Sequence, residues 1–181
     1  MALTVILVEE QSSAAVIRTL AKRLGIDKNV RIFEHQGVGD LKRSLAIKMR
    51  AITDRNTRFI VLRDQDNGNC VELKRELQEL VPTAQKAQTR IRIACRELEA
   101  WYLAQPDALK RARVLRVELP ANLIDRNPDH VADPKAELLR RTQKSGQMWI
   151  ASLVGPQLDP DNRKSASFSI FVDTLKAFSV A

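Results

Sequence analysis

"FIVLRDQDNGNC", residues 59–70, joins a continuous apolar run to an arginine, two aspartates one residue apart and a turn. Taken from residue 58, "RFIVLRD" predicts a strand over 58–64. Its apolar residues do not alternate with polar ones, which is the pattern of a strand covered on both faces. Leu73, Leu77, Leu80 and Val81 then recur at helical spacing, and Pro82 closes that stripe. A strand covered on both faces and followed by a helix is the repeating unit of a parallel sheet.

The same unit recurs on either side. "LTVILVE" (3–9) predicts a first strand, followed by a helix carrying Ile17, Leu20, Ala21 and Leu24. Ser12 or Ser13 would cap this helix and Gly25 would stop it. "NVRIFEH" (29–35) predicts a second strand, and Leu41, Leu45, Met49 and Ile52 mark one face of the next helix. "TRIRIAC" (89–95) predicts a fourth strand, and "RELEAWYLA" (96–104) a return to helix. The expected fold is α/β, with a mainly parallel central sheet of about four strands flanked by helices.

Beyond Leu103 the texture changes, because six of the seven prolines lie between Pro106 and Pro160. Residues 105–134 are therefore expected to run over the surface with few regular elements. Helices are expected near 135–143 and 146–154, and Phe168, Phe171, Leu175 and Phe178 form a last helical stripe that packs back on the core. The expected organisation is an α/β core over 1–104 and a proline-rich connection with a helical C-terminal extension over 105–181, one domain overall.

The 181 residues are 44% hydrophobic and 29% charged, with a net charge of +8. No apolar run is long enough to span a bilayer, and the first residues lack a basic region and cleavage site, so a cytoplasmic protein without a membrane partner is expected. Cys70 and Cys95 have no zinc-like spacing and are expected to be reduced. Basic residues gather in groups such as Lys42, Arg43, Lys48 and Arg50, or Lys86, Arg90, Arg92 and Arg96. Each group reads most simply as a solvated helix face; together they fit a polyanionic partner, DNA or RNA. A homo-oligomer is compatible with the sequence.

Open parallel sheets bind ligands beyond the carboxyl ends of their strands. That rule singles out Glu9 and Glu10, Asp64 and Asp66, and Arg96 to Glu99. Two apart in extended chain, Asp64 and Asp66 would project to one side. Several carboxylates open to water suit Mg²⁺ or Mn²⁺, and His35 and His130 stand alone. The plain alternative is a polar turn. Glu97 and Glu99 complete the metal candidates. On one helix they would point about 200° apart, so only one could face an ion. Arg63 and Arg96 flank the acids, to hold a substrate phosphate or to clamp the carboxylates. Trp101 and Trp149 read as core, and Gly37 and Gly39 as a loop turn.

"ILVEE", and "VLRDQD" at a strand end, resemble the glutamate and DxD motifs of the Toprim fold of topoisomerases, primases and overcoming-lysogenization-defect (OLD) nucleases. More narrowly, "RIACRELEAWYLA", "ADPKAEL" and "NRKSASF" resemble a Toprim-like bacterial family catalogued as a domain of unknown function. Its members are often encoded beside an ABC-type ATPase, as in phage-defence systems. The resemblance implies Glu9, Asp64 and Asp66 as catalytic residues and metal ligands, and favours Glu99 over Glu97 as a further ligand. Lys135, Asn162, Arg163 and Ser165 lie in the C-terminal motifs; Lys135 and Arg163 would reach substrate phosphate, or Ser165 or Ser167 would cap the last helix. Toprim proteins carry glycine after the glutamate and an acid four positions beyond it, where this chain has Glu10 and Ser13. The implied function is a divalent-metal-dependent nuclease, the effector of an ATPase partner. The alternatives are an inactive Toprim-like binding module and a phosphoryl-transfer enzyme acting on a small nucleotide.

Overall fold

Strands β1 (Thr4–Val8), β2 (Val30–Glu34), β3 (Arg58–Asp64) and β4 (Thr89–Ala94) form one sheet in the order β2-β1-β3-β4. Every neighbouring pair is parallel. This computed structural model describes residues 2–144 and 146–180. The expected sheet is present, and β3 spans the residues read from its apolar run.

Alternate strand residues serve two separate cores, which explains why the strands lack polar alternation. Val5, Leu7, Phe59, Val61, Ile91 and Ile93 face α2 (Val38–Arg50) and α3 (Cys70–Leu80). Ile6, Val8, Ile60, Leu62 and Ala94 face the larger core, with α1 (Gln11–Arg23), α4 (Glu99–Leu103), α5 (Pro106–Arg111), α8 (Gln147–Val154) and α9 (Ala166–Val180). Trp101 sits at its centre, 5.3 Å from the rings of both Phe168 and Phe171. Trp149 is only half-buried at its margin.

Gly25 ends α1 as expected, with φ 69° and the Ile26 N–H bonded to the Ala21 carbonyl. The start of α1 differs from expectation. Glu10 is the N-cap, and Ser12 and Ser13 are buried inside the helix. The stretch 105–134 also departs from expectation, because Leu109, Val114, Leu119, Leu123 of α6 (Ala121–Ile124) and Val131 enter the large core. Its prolines open elements instead of breaking them: Pro106 begins α5, Pro128 a single helical turn, and Pro134 begins α7 (Pro134–Leu139). Proline fits a first helical turn, where its missing N–H has no intrahelical acceptor. No helix among the described residues is long and apolar enough to cross a membrane.

α9 runs back along β4, from Ser167 beside Cys95 at one sheet edge to Phe178 beneath Arg58 and Arg90 at the other. Arg92 Nε donates to Thr174 Oγ1 (2.7 Å) midway.

Candidate functional site

The carboxyl ends of β1, β3 and β4 lie side by side because Val8 pairs with Leu62 and Asp64 with Ala94. Beyond the ladder the backbone stays locked. The Gln65 N–H donates to Ala94 O (3.0 Å), the Asp66 N–H to Arg96 O (2.7 Å), and the Arg96 N–H to Gln65 Oε1 (3.1 Å). Asp66 (φ 52°) and Arg96 (φ 60°) both take the left-handed conformation, which non-glycine residues adopt only under local constraint.

Asp64 keeps some surface as a residue, but its carboxyl group is withdrawn from water. Burial, followed by the nearby charge of Glu99, pushes its pKa well above the usual carboxylate range, and Glu9 and Glu10 add to the rise. The Leu98 N–H opposes it. Glu99 is 2% exposed; burial raises its pKa, and a hydrogen bond from Gln147 Nε2 to Oε1 (3.2 Å) counters that. Glu9 is raised chiefly by burial and held down by Arg63. Glu9 Oε2, Glu99 Oε2 and the Tyr102 hydroxyl are buried without hydrogen-bond partners. Burial, Glu99 and Asp64 together raise the Tyr102 phenol well above its ordinary value.

Arg63 points into this edge with its side chain 10% exposed. Its guanidinium lies 3.6 Å from Glu9, 3.9 Å from Asp66 and 3.9 Å from Glu76 of α3, distances of charge neutralisation more than of tight hydrogen bonding. The guanidinium thus sits among the carboxylates of this edge.

Other candidates separate. Asp66 does not share the orientation of Asp64: the left-handed turn sends it to the rim, 55% exposed and facing Arg63. α4 begins at Glu99 and not at residue 96, because left-handed Arg96 interrupts the helix. Glu97 therefore lies outside the helix, and its Oε2 accepts the Lys135 N–H (3.0 Å) at the start of α7. That bond engages Lys135 through its backbone. Arg163 pairs with Asp173 of α9 (2.8 Å). Ser165 Oγ accepts the Phe168 N–H (3.1 Å), the cap foreseen for the last helix.

Sequence reading did not single out Gln147 or Asp129, and it named His35 only as an isolated histidine. Gln147 fixes Glu99 from α8. Asp129 accepts from Ser165 Oγ (2.6 Å), Ser167 Oγ (3.2 Å) and the Ser167 N–H (3.0 Å), while Trp101 Nε1 donates to Ser167 Oγ (2.9 Å). His35 is buried with Nδ1 2.7 Å from Val8 O and Nε2 2.8 Å from Lys48 Nζ. The ring is thus neutral, donating to the carbonyl and accepting from the ammonium, and burial lowers its pKa. All three partnerships cross long sequence separations, where no local pattern signals them.

Asp64, Glu9 and Glu99 are oxygen donors with surplus negative charge and two orphaned oxygens, a composition that fits a hard divalent cation. Their side chains have not converged, since among the described residues no group of three or more acids, histidines or cysteines is arranged to hold a metal ion.

Residues 8–176 match the family model described as domain of unknown function DUF4276. The chain belongs to that family. No curated protein matches it. Its fold is similar to that of the C-terminal region of the OLD protein of Xanthomonas campestris pv. campestris, with a TM-score of 0.58 and 18% identity, covering 99% of this chain and 95% of that one. The C-terminal region of the Burkholderia pseudomallei OLD protein gives a TM-score of 0.54 and 16% identity over 97% and 99% of the two chains. The three stretches that carry the DUF4276 resemblance meet in space, through the Glu97–Lys135 and Trp101–Ser167 bonds.

Proposed function

We propose that this DUF4276 protein is a divalent-metal-dependent nuclease hydrolysing DNA or RNA phosphodiesters. The observation that carries the reading is the confinement of Asp64 with Glu99 and Glu9 at the carboxyl edge of the sheet, where their pKa values rise together. The OLD-like fold and the resemblance to OLD nucleases support it. Asp64, Glu9 and Glu99 would hold Mg²⁺ or Mn²⁺, with Asp66 joining from the rim. The bound ion would lower the pKa of its water and offset charge on the phosphate. Gln147 holds Glu99 in orientation, and Arg63 and Arg96 supply positive charge near the substrate. Glu9 is the candidate to accept the proton of the attacking water.

Calorimetric titration of the wild type and Asp64→Asn/Glu99→Gln with Mn²⁺ tests the site directly. Saturable binding lost in the variant supports the proposal, and it would be followed by Mn²⁺-dependent cleavage of single- and double-stranded substrates. Equal binding by both proteins rejects the metal site.

A second reading follows from Arg63. A guanidinium already neutralising Glu9, Asp66 and Glu76, with Ser13 buried where Toprim proteins have an acid, fits a binding module without catalysis. Its partner would be nucleic acid or the ABC-type ATPase that the resemblance implies. Retention of that partner by Asp64→Asn/Asp66→Asn protein that neither binds Mn²⁺ nor cleaves would favour it.

A further inference from the structure

The amino edge of the sheet, opposite the acids, holds a different kind of site. A cavity of about 620 Å³ opens there, and its lining includes Asp54, Arg55, Arg58, Gln88, Arg90 and Phe178. An adjoining hollow of about 740 Å³ shares Asp54, Arg55 and Gln88 and adds Arg50, Thr57 and Gln85. Strands of five to seven residues put this trough roughly 20 Å from the carboxylate edge. It is therefore not a lobe of the acidic site.

Its charge is strongly one-sided. None of Arg50, Arg55, Arg58 and Arg90 is in an ion pair among the described residues. Asp54, the acid of the lining, already accepts the Asn56 N–H (2.9 Å). Arg58 and Arg90 both stand over Phe178 of α9: their guanidinium carbons lie 5.3 and 5.7 Å from the ring centre, a cation–π arrangement. Arg90 is fixed further by bonds from its Nη1 to Ala87 O and Thr89 O (both 3.0 Å). Beneath the trough, Thr57 is 1% exposed, and its hydroxyl has no hydrogen-bond partner; Gln85 Oε1 and Gln88 Oε1 are likewise buried and unpartnered.

We infer that this trough binds the phosphates of a nucleic-acid strand, as a contact separate from any cleavage site. Four arginines face the single carboxylate of the lining, Asp54, and guanidinium groups recognise phosphate through paired N–H donors. Of the buried unpartnered groups in the hollow, the Thr57 hydroxyl can donate to phosphate; Gln85 Oε1 and Gln88 Oε1 are acceptors, and Gln85 Nε2 already donates to Met49 O (2.9 Å). Phe178 is 7% exposed and covered by the two arginines, so no aromatic face is available to stack a base. The contact therefore reads the backbone and not the sequence.

The test is fluorescence anisotropy with a labelled single-stranded oligonucleotide in EDTA, over a series of salt concentrations. Removing divalent ions separates this site from the proposed nuclease, whose acids have no cation through which to hold a phosphate in EDTA. Arg55→Glu/Arg90→Glu should weaken binding by on the order of tenfold at low salt, and flatten the slope of log affinity against log salt by about two. Arg55 is exposed, so Arg55→Glu alone tests the site with Phe178 undisturbed and should flatten the slope by about one. Arg126→Glu makes the same charge change outside the trough and should leave the slope unchanged. A wild-type affinity and slope in both trough variants would overturn the inference. So would equal competition by adenosine monophosphate at matched phosphate concentration, which would assign the trough to single nucleotides.

Discussion

Gln147 Nε2 donates to Glu99 Oε1 at 3.2 Å, and the second oxygen of Glu99 is left buried without a partner. A carboxylate that is 2% exposed and half satisfied is costly when ionised, which is why its pKa lies above the ordinary value. Glu99→Gln removes that charge and keeps the shape. It should stabilise the metal-free protein at pH 8 by about 1 kcal/mol, and by much less at pH 5. Urea midpoints at the two pH values measure this; a variant less stable than wild type at pH 8 would show that the charge is compensated.

The acids together set a pH dependence. Glu9, Asp64 and Glu99 all have folded pKa values raised above their unfolded ones. Their contribution to stability is complete below the unfolded values near pH 4 and is lost as pH rises through the raised folded values. Mn²⁺ binds the ionised carboxylates, so its stabilisation should grow over the same window. His35 acts with the opposite sign: its folded pKa is lowered, so its contribution is present above about pH 6.5 and lost as pH falls through the folded value. The wild type minus Asp64→Asn difference isolates the acids. Melting temperatures at pH 5 and 8, in EDTA and in Mn²⁺, should show the larger Mn²⁺ shift at pH 8 in wild type and little shift in the variant.

The parts of this fold that were legible are those written in short-range pattern. β3 follows from its unbroken apolar run, the end of α1 from Gly25, and the packing of α9 from four residues at helical spacing. The carboxyl-edge rule also placed Glu9 and Asp64 in one neighbourhood. It failed at Asp66, because alternation holds only while the chain stays extended, and at φ 52° Asp66 has left the strand. Arg96 misled in the same way, since nothing local announces a left-handed arginine before a helix. Burial of Leu109, Val114 and Leu119 was hidden by their prolines, which read as loop but open helical turns. Gln147 and Asp129 belong to the site and the core only through partners 48 and at least 36 residues away.

Asp129 is expected to be a stability residue. It accepts two serine hydroxyls and the Ser167 N–H, and Ser167 in turn receives the Trp101 indole N–H. Asp129→Ala leaves buried Ser165 short of an acceptor and frees the Ser167 N–H in the first turn of α9, at a cost of about 2 kcal/mol. Asp129→Asn, which keeps an acceptor oxygen, should recover part of it. Urea denaturation gives the energies; a loss below about 0.5 kcal/mol in the alanine variant would mean that solvent replaces the carboxylate.

Arg63 gives the sharpest separation of the two functional readings. Its guanidinium is the cation nearest Glu9 and Asp66 and also faces Glu76, with Nε and Nη1 buried and without hydrogen bonds. Arg63→Met keeps the aliphatic stem but leaves the acids uncompensated. Complete loss of a tight buried pair costs roughly 3–5 kcal/mol; at 3.6–3.9 Å the pairs here are looser, so about 2 kcal/mol is expected in EDTA. If the edge accepts a divalent cation, Mn²⁺ can supply the missing charge, and it should restore most of that loss in Arg63→Met while stabilising wild type less. Denaturation midpoints with and without Mn²⁺ decide it. An undiminished loss in Mn²⁺ would mean that Arg63 is the edge's permanent counterion, and would favour the binding module over the nuclease.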